Sequence, residues 1–287
     1  MQHDVGFLTR NDFDDLKAIW RMSFQDTDDF TQTFLDKMFV DGLAIASREE
    51  GIVVSCAFLI PCQLIINGRC YSSYFLYAAA THPSHRGKGH MSAIMKYAQM
   101  IASQRAIDYL TLTPASDDLF DFYGKYGYWV AFYKKVVRFT RAELEARAVE
   151  PDLTYAYSLD ILNTRMDCLG FGDYINWDKE TLDYGMLSHN MSAGSVAFTS
   201  DGYAMYNMGK DTVYVEELCT LSDPGELFTM LLMEDEAEKF TFNLPVNSNI
   251  HSADEHIERV GMALPLNDEA TAALKTMRNA YCGQVLM

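Results

Sequence analysis

Leu76-Tyr-Ala-Ala-Ala-Thr-His-Pro-Ser-His-Arg-Gly-Lys-Gly-His-Met-Ser-Ala-Ile-Met95 carries an extended apolar run through a basic, glycine-bearing loop straight into an amphipathic helix. After Gly89 the apolar residues Met91, Ile94, Met95, Ala98 and Ile101 fall at i, i+3, i+4, i+7 and i+10, so they share one helical face and a helix begins within a residue or two of Gly89. The first turn of that helix leaves backbone N–H groups without intrahelical partners, and its aligned peptide dipoles attract an anion. Gly87 and Gly89 let a ligand lie against the backbone and allow positive φ, while Arg86 and Lys88 add formal charge. The stretch reads as a cradle for a pyrophosphate.

Three phosphate-binding patterns compete for it, and spacing separates them. The nucleotide-binding pattern G-x-x-x-x-G-K-[ST] fails because His90 follows Gly89. The dinucleotide pattern G-x-G-x-x-G places Ser92 where its third glycine belongs, and Asp108 stands before the strand Tyr109-Leu-Thr-Leu-Thr113 rather than after it. The third pattern, [QR]-x-x-G-x-[GA], is met by Arg86 and Gly89 and missed at Met91. In this respect the loop resembles the acetyl-CoA loop of the GNAT N-acetyltransferases.

The rest of residues 1 to 140 follows the order that this resemblance implies. Upstream lie a strand near Val5 to Leu8, helices near Asp12 to Ser23 and Thr31 to Val40, and a hairpin through Leu43 to Ser47 and Ile52 to Ile66. Downstream, Pro114 ends the short strand, and Asp118-Leu-Phe-Asp-Phe-Tyr-Gly-Lys-Tyr-Gly-Tyr-Trp129 resembles the helix and turn written F-Y-x-x-x-G-[FY] in that superfamily. The chain is most similar to the enhanced-intracellular-survival (Eis-like) GNAT enzymes, which carry two GNAT folds in tandem and a sterol-carrier-like third domain. Beyond Arg141 the alternating runs Ser195 to Thr199, Tyr203 to Tyr206 and Thr212 to Leu218, a helix near Pro224 to Glu234 and the run Lys239 to Pro245 repeat the order loosely. Nothing there matches Arg86 to Gly89. The resemblance implies a mixed α/β protein of two tandem GNAT-like folds. Residues 1–140 form the cofactor-binding catalytic domain and residues 141–287 a degenerate second one without a cofactor loop. With the sequence ending at Met287, no third domain is expected.

Composition agrees with two packed units: 287 residues exceed the usual size of one core, and 49% of them are hydrophobic. No apolar run approaches the roughly 20 residues of a membrane span, and the N-terminus has no signal-peptide pattern, so a cytoplasmic location is expected. Cys56, Cys62, Cys70, Cys168, Cys219 and Cys282 form no C-x-x-C pair and read as reduced, packed thiols. His82 and His85 flank Pro83, His251 and His256 are five apart, and no H-E-x-x-H occurs, so no metal is expected. Charge is divided unevenly. Residues 1–140 sum to −1, against −17 for the whole chain, so nearly all the acidity lies in the second half. Such a balance argues against nucleic acid and anionic lipid as partners, and it suits either a cationic substrate or a solvated acidic face. Runs such as Glu234 to Glu238 fit the latter. A homo-oligomer is compatible with this composition.

The resemblance implies an N-acetyltransferase that passes an acetyl group from acetyl-CoA to a primary amine of a cationic small molecule or peptide. It assigns the pantetheine arm to the backbone of Ala79, Ala80 and Thr81, and the pyrophosphate to Arg86, Gly87, Lys88, Gly89, His90, Met91 and Ser92. Tyr123, of Phe122-Tyr123-Gly124, is the candidate proton donor, since a phenol and a thiol have reference pKa values close enough for proton transfer to a departing thiolate. Tyr126 and Tyr128 read as packing residues. No general base is legible, for Tyr71 to Thr81 contains no Asp or Glu. The family is thought to use a chain-terminal carboxylate brought by its third domain, which leaves that of Met287 without a means of delivery. The loop Phe24-Gln-Asp-Thr-Asp-Asp-Phe30 borders the acceptor site in such folds, making Phe24 and Asp26 candidate substrate residues; Asp28, Asp29 and Thr31 equally suit a helix start. Two other readings stay open: a catalytically inactive acyl-CoA sensor or interaction module, and an unrelated pair of α/β domains with a structural loop.

Overall fold

The computed structural model describes residues 3–24, 26–150, 159–170, 172–234 and 236–283. Along the chain run β1 (Asp4–Phe7), α1 (Phe13–Phe24), α2 (Asp28–Met38), β2 (Ala44–Glu49), β3 (Ile52–Ile66), β4 (Arg69–Thr81), α3 (His90–Gln104), β5 (Tyr109–Leu112), α4 (Asp117–Gly124) and β6 (Trp129–Thr140). There follow α5 (Arg141–Glu145), α6 (Ile161–Leu169), β7 (Tyr174–Asn176), α7 (Lys179–Met191), β8 (Ser195–Phe198), β9 (Gly202–Met208), β10 (Thr212–Thr220), α8 (Gly225–Leu232), β11 (Lys239–Leu244), β12 (Asp254–Pro265) and α9 (Asp268–Leu274). Short 3-10 turns at Arg10–Asp12 and Pro83–His85 precede α1 and α3. The protein is thus mixed α/β. Helix α2 begins three residues earlier than the apolar pattern suggests, because Thr27 accepts a hydrogen bond from Phe30 N–H and caps it there.

By contacts the chain forms two compact units, residues 1–64, 71–130 and 261–275 in one, and 65–70, 131–260 and 276–287 in the other. The sequence-order division at 140 therefore leaves residues 261–275 on the other side. They belong with the first unit because Met262 to Pro265 pair antiparallel with Leu112 to Tyr109, and Tyr109 OH donates to Ala270 O at 2.6 Å.

In the first unit β1, β2 and β3 are antiparallel neighbours, β3 turns into β4, and β4 runs parallel to β5 with α3 as the crossover. Ile94, Met95, Ala98, Ile101 and Ala102 of α3 bury against Leu76, Leu110, Leu112, Phe120 and Tyr123. Fully burying each of the larger aliphatic side chains is worth ~1.5–3 kcal/mol, enough to fix the helix on the sheet. Trp20, Phe34, Phe58 and Tyr77 form a separate aromatic cluster, with Phe34 4.8 Å from both Trp20 and Phe58 and 5.2 Å from Tyr77 between ring centroids.

The β4–β5 ladder positions the site. It pairs Ser73 with Tyr109, Tyr74 with Leu110 and Phe75 with Thr111, and goes no further. β5 ends at Leu112, and Pro114 has no N–H with which to continue a ladder. β4 runs on to Thr81, so its last residues lack a strand on that side, and within them Ala78 adopts a left-handed backbone, φ 48°.

In the second unit β6, β11, β10, β9 and β8 are neighbours in that order. β10 and β11 are parallel with α8 between them; the other pairs are antiparallel. Val137, Phe139, Val213, Val215, Phe240 and Phe242 form its core with Leu227, Phe228 and Leu231 of α8.

Candidate functional site

A cleft of about 700 Å³ opens in the first unit where β4 outruns β5. Its walls are Ser23 and Phe24 at the end of α1, Ala79 to Thr81 of β4, His85, Arg86, Gly87 and Gly89 to Ser92 at the α3 terminus, and Ala115, Ser116, Leu119, Phe122 and Tyr123. The structure so brings together every residue expected for the pantetheine arm and pyrophosphate except Lys88. That side chain turns away, its Nζ 3.3 Å from Glu49 Oε2.

The loop has the backbone that an anion needs. Gly89 is the N-cap of α3 at φ 91°, and Gly87 lies at φ 75°, both in the left-handed region. The first bond of the helix joins Ala93 N–H to Gly89 O, which leaves the amides of His90, Met91 and Ser92 without intrahelical acceptors. Around Gly87 a Cβ would meet nothing within 4 Å, so that glycine serves conformation and the space beside it is open. Arg86 Nε donates to Thr81 O at 3.2 Å and braces the loop, and Tyr126 OH donates to Ser92 Oγ at 2.6 Å. On the β4 wall, Ser55 Oγ holds Ala80 O at 2.9 Å and meets Thr81 Oγ1 at 2.8 Å.

Tyr123 is 7% exposed, lies on the cleft wall, and makes no hydrogen bond through its hydroxyl among the described residues. Burial pushes its phenol up to about 12. The group therefore keeps its proton across the working range. Tyr128 is a core residue whose buried hydroxyl has no partner among the described residues. Tyr126 does more than pack, since it fixes Ser92.

The two candidate substrate residues separate. Phe24 lines the cleft and packs edge-on against Trp20 at 5.2 Å. Asp26 is not on its wall: its Oδ2 accepts the Trp20 indole N–H at 2.7 Å. Asp28 and Asp29 occupy the first turn of α2, where Asp28 also pairs with Arg21 at 2.8 Å. Gln25 and the Met287 carboxylate lie outside the described residues, as does Asp235 of the acidic run.

Sequence reasoning missed Ser23, His85, Ala115, Ser116, Leu119 and Phe122 as lining residues. Ser116 had a legible signal, as the N-cap position before the acidic first turn of α4. His85 had none, for its meaning comes from Glu49, 36 residues away, whose Oε2 lies 2.7 Å from His85 Nδ1. Among the described residues, no carboxylate lines the cleft.

The family profile described as "Acetyltransferase (GNAT) domain" matches residues 4–131. No curated protein matches the sequence. Among solved structures, a probable N-acyltransferase from Enterococcus faecalis V583 superposes at TM-score 0.77 and 17% identity over 94% of this chain and 74% of that one. A GCN5-related N-acetyltransferase from Kribbella flavida gives 0.73 at 17%, over 94% and 73%. Eis1 from Mycobacterium abscessus gives 0.68 at 14%, over 95% and 76%. At such identities these likenesses speak for the fold. Profile, strand order and glycine-capped helix agree that residues 4–131 of this chain are an acetyltransferase domain of the GNAT family.

Proposed function

We propose that the protein is an acetyl-CoA-dependent N-acyltransferase acting on a primary amine of a cationic small molecule or peptide. The observation that carries this reading is the single cleft that joins the unpaired end of β4, the glycine-capped terminus of α3 and the buried phenol of Tyr123. Acetyl-CoA supplies an acetyl group activated as a thioester. The amides of His90, Met91 and Ser92, with the guanidinium of Arg86, would hold its pyrophosphate, and the backbone of Ala79 to Thr81 its pantetheine arm. Tyr123 holds a proton on its hydroxyl that burial keeps in place, next to the strand where a thiolate would depart. Leu119 and Phe122 keep that wall apolar.

The second unit supports the tandem reading by its own order: three antiparallel strands, a crossover helix and a parallel strand, β8-β9-β10-α8-β11, with two helices before them. It is a degenerate GNAT-like fold without a cofactor loop. One observation favours the alternative of an acyl-CoA-binding sensor: among the described residues, the cleft lining offers no carboxylate as base for the amine. Calorimetric titration with acetyl-CoA and with dephospho-CoA, followed by a panel of amines monitored for free thiol, separates the readings. Thiol release on an amine supports the transferase, binding without turnover supports the sensor, and lack of binding removes both.

A further inference from the structure

Beneath the anion cradle, three side chains from three elements converge. Glu49 ends β2, His85 closes the turn before α3, and His90 is the first residue of α3; one donor atom from each lies within 4.8 Å of the others. Glu49 Oε2 stands 2.7 Å from His85 Nδ1 and 3.5 Å from His90 Nε2. Tetrahedral zinc, with bonds of ~2.0–2.1 Å to nitrogen and oxygen, spaces its ligands roughly 3.3 Å apart. These two separations bracket that spacing, while the two imidazole nitrogens lie within 4.8 Å of each other and close on an ion by side-chain rotation.

The surroundings are those of a ligand set. His90 is buried, and its other ring nitrogen, Nδ1, lies 2.9 Å from the buried Ser47 Oγ. Donation of Nδ1–H to that hydroxyl fixes the ring and turns the Nε2 lone pair towards Glu49, the outer-shell support usual for metal-bound histidine. His3 packs edge-on against His90 at 4.7 Å. His82 stands 5.6 Å from His85. Lys88, 46% exposed and paired with Glu49, is the charge that an ion would replace.

We infer that Glu49, His85 and His90 form a binding site for a divalent transition-metal ion. Imidazoles with one carboxylate select zinc, cobalt or nickel over magnesium or calcium. An ion there ties β2, the turn and α3 together at the foot of the cradle, independently of any acyl-CoA chemistry.

The test uses the full chain without an affinity tag. Zn²⁺ is titrated by calorimetry and Co²⁺ by absorption, because the six cysteines offer a rival thiolate site. The expected result is one equivalent bound, visible cobalt ligand-field bands without a thiolate charge-transfer band, and a rise in Tm with Zn²⁺. E49Q and H85Q, both at partly exposed positions where folding is not at stake, should each weaken binding by at least about 10-fold and lose the Tm rise. No binding, equal binding by both variants, or a thiolate band would overturn the inference.

Discussion

The first and second units contain the same construction with opposite outcomes. In each, a strand runs parallel to the strand after its crossover helix for a few residues and then continues without a partner on that side: β4 beyond Phe75, β10 beyond Val215. Each strand is irregular near that point, through left-handed Ala78 in β4 and a bulge between Val215 and Glu217 in β10. In the first unit small residues follow, and the space is a cleft. In the second, Glu217 stands there, 1% exposed, paired with equally buried Arg165 at 3.0 Å and accepting from Tyr203 OH at 2.6 Å. Arg165 also donates to Ile175 O at 2.9 Å and Cys282 O at 3.3 Å. The helix termini differ in the same sense. α3 is capped by Gly89, which has no side chain to offer its amides, whereas Asp223 Oδ1 already accepts from Gly225 N–H at the start of α8 at 2.9 Å. Strand splay creates an opening, and the side chains of neighbouring elements decide whether it is a site or a filled core.

The sharpest way to break this comparison is to unfill the second opening. R165M takes the guanidinium away from buried Glu217 and should cost about 3–5 kcal/mol in urea unfolding, most of it recovered in R165M/E217L; a loss under about 1 kcal/mol would mean that the pair is no plug. G89E places a carboxylate and a strained left-handed backbone in the cradle, and should weaken acetyl-CoA binding about 100-fold in calorimetry while the second unit keeps its stability. Y123F should lower kcat about 100-fold with acetyl-CoA affinity nearly unchanged.

The pH dependence of Tyr123 has a definite sign. Its folded pKa is raised to about 12. The stability that its neutral form contributes is therefore complete below the ordinary tyrosine value near 10 and is lost as pH rises from there towards 12. Alkaline unfolding should come later in Y123F than in the native chain relative to their neutral stabilities, and kcat should show no decline from this group below about pH 10. The smallest effect belongs to D223A. It removes the acceptor of the Gly225 amide at the start of α8, costing about 1 kcal/mol in thermal unfolding, and should leave acetyl-CoA binding unchanged. A change in binding would make the second terminus part of the site.

Local chemistry made much of this legible. The α3 stripe, the glycine cap and the β4–α3–β5 order follow from apolar spacing and from residues that tolerate only certain backbones, and Ala79 to Thr81, Arg86 to Gly87 and Gly89 to Ser92 line one cleft. Lys88 faces the other way because Glu49 holds it, a pairing across 39 residues that no local rule contains. Asp26 lies within the predicted loop yet serves the Trp20 indole, because a buried N–H needs an acceptor. The strand Asp254–Pro265 had no sequence signal for joining β5, since a strand's partner is chosen by packing of its whole unit.

The sequence by itself determined the elements up to α4, the strands and helix from β8 to β11, the anion-suited helix terminus and the family of residues 4–131, because each rests on spacing and backbone preference within a few turns of chain. Only the tertiary structure decided which side chains share a cleft, that Glu49 meets His85 and His90, and that Arg165 and Glu217 fill the second opening. Those are contacts between groups 36 to 52 residues apart. Their cost or gain depends on burial and on every other group competing for the same space, which periodicity does not encode.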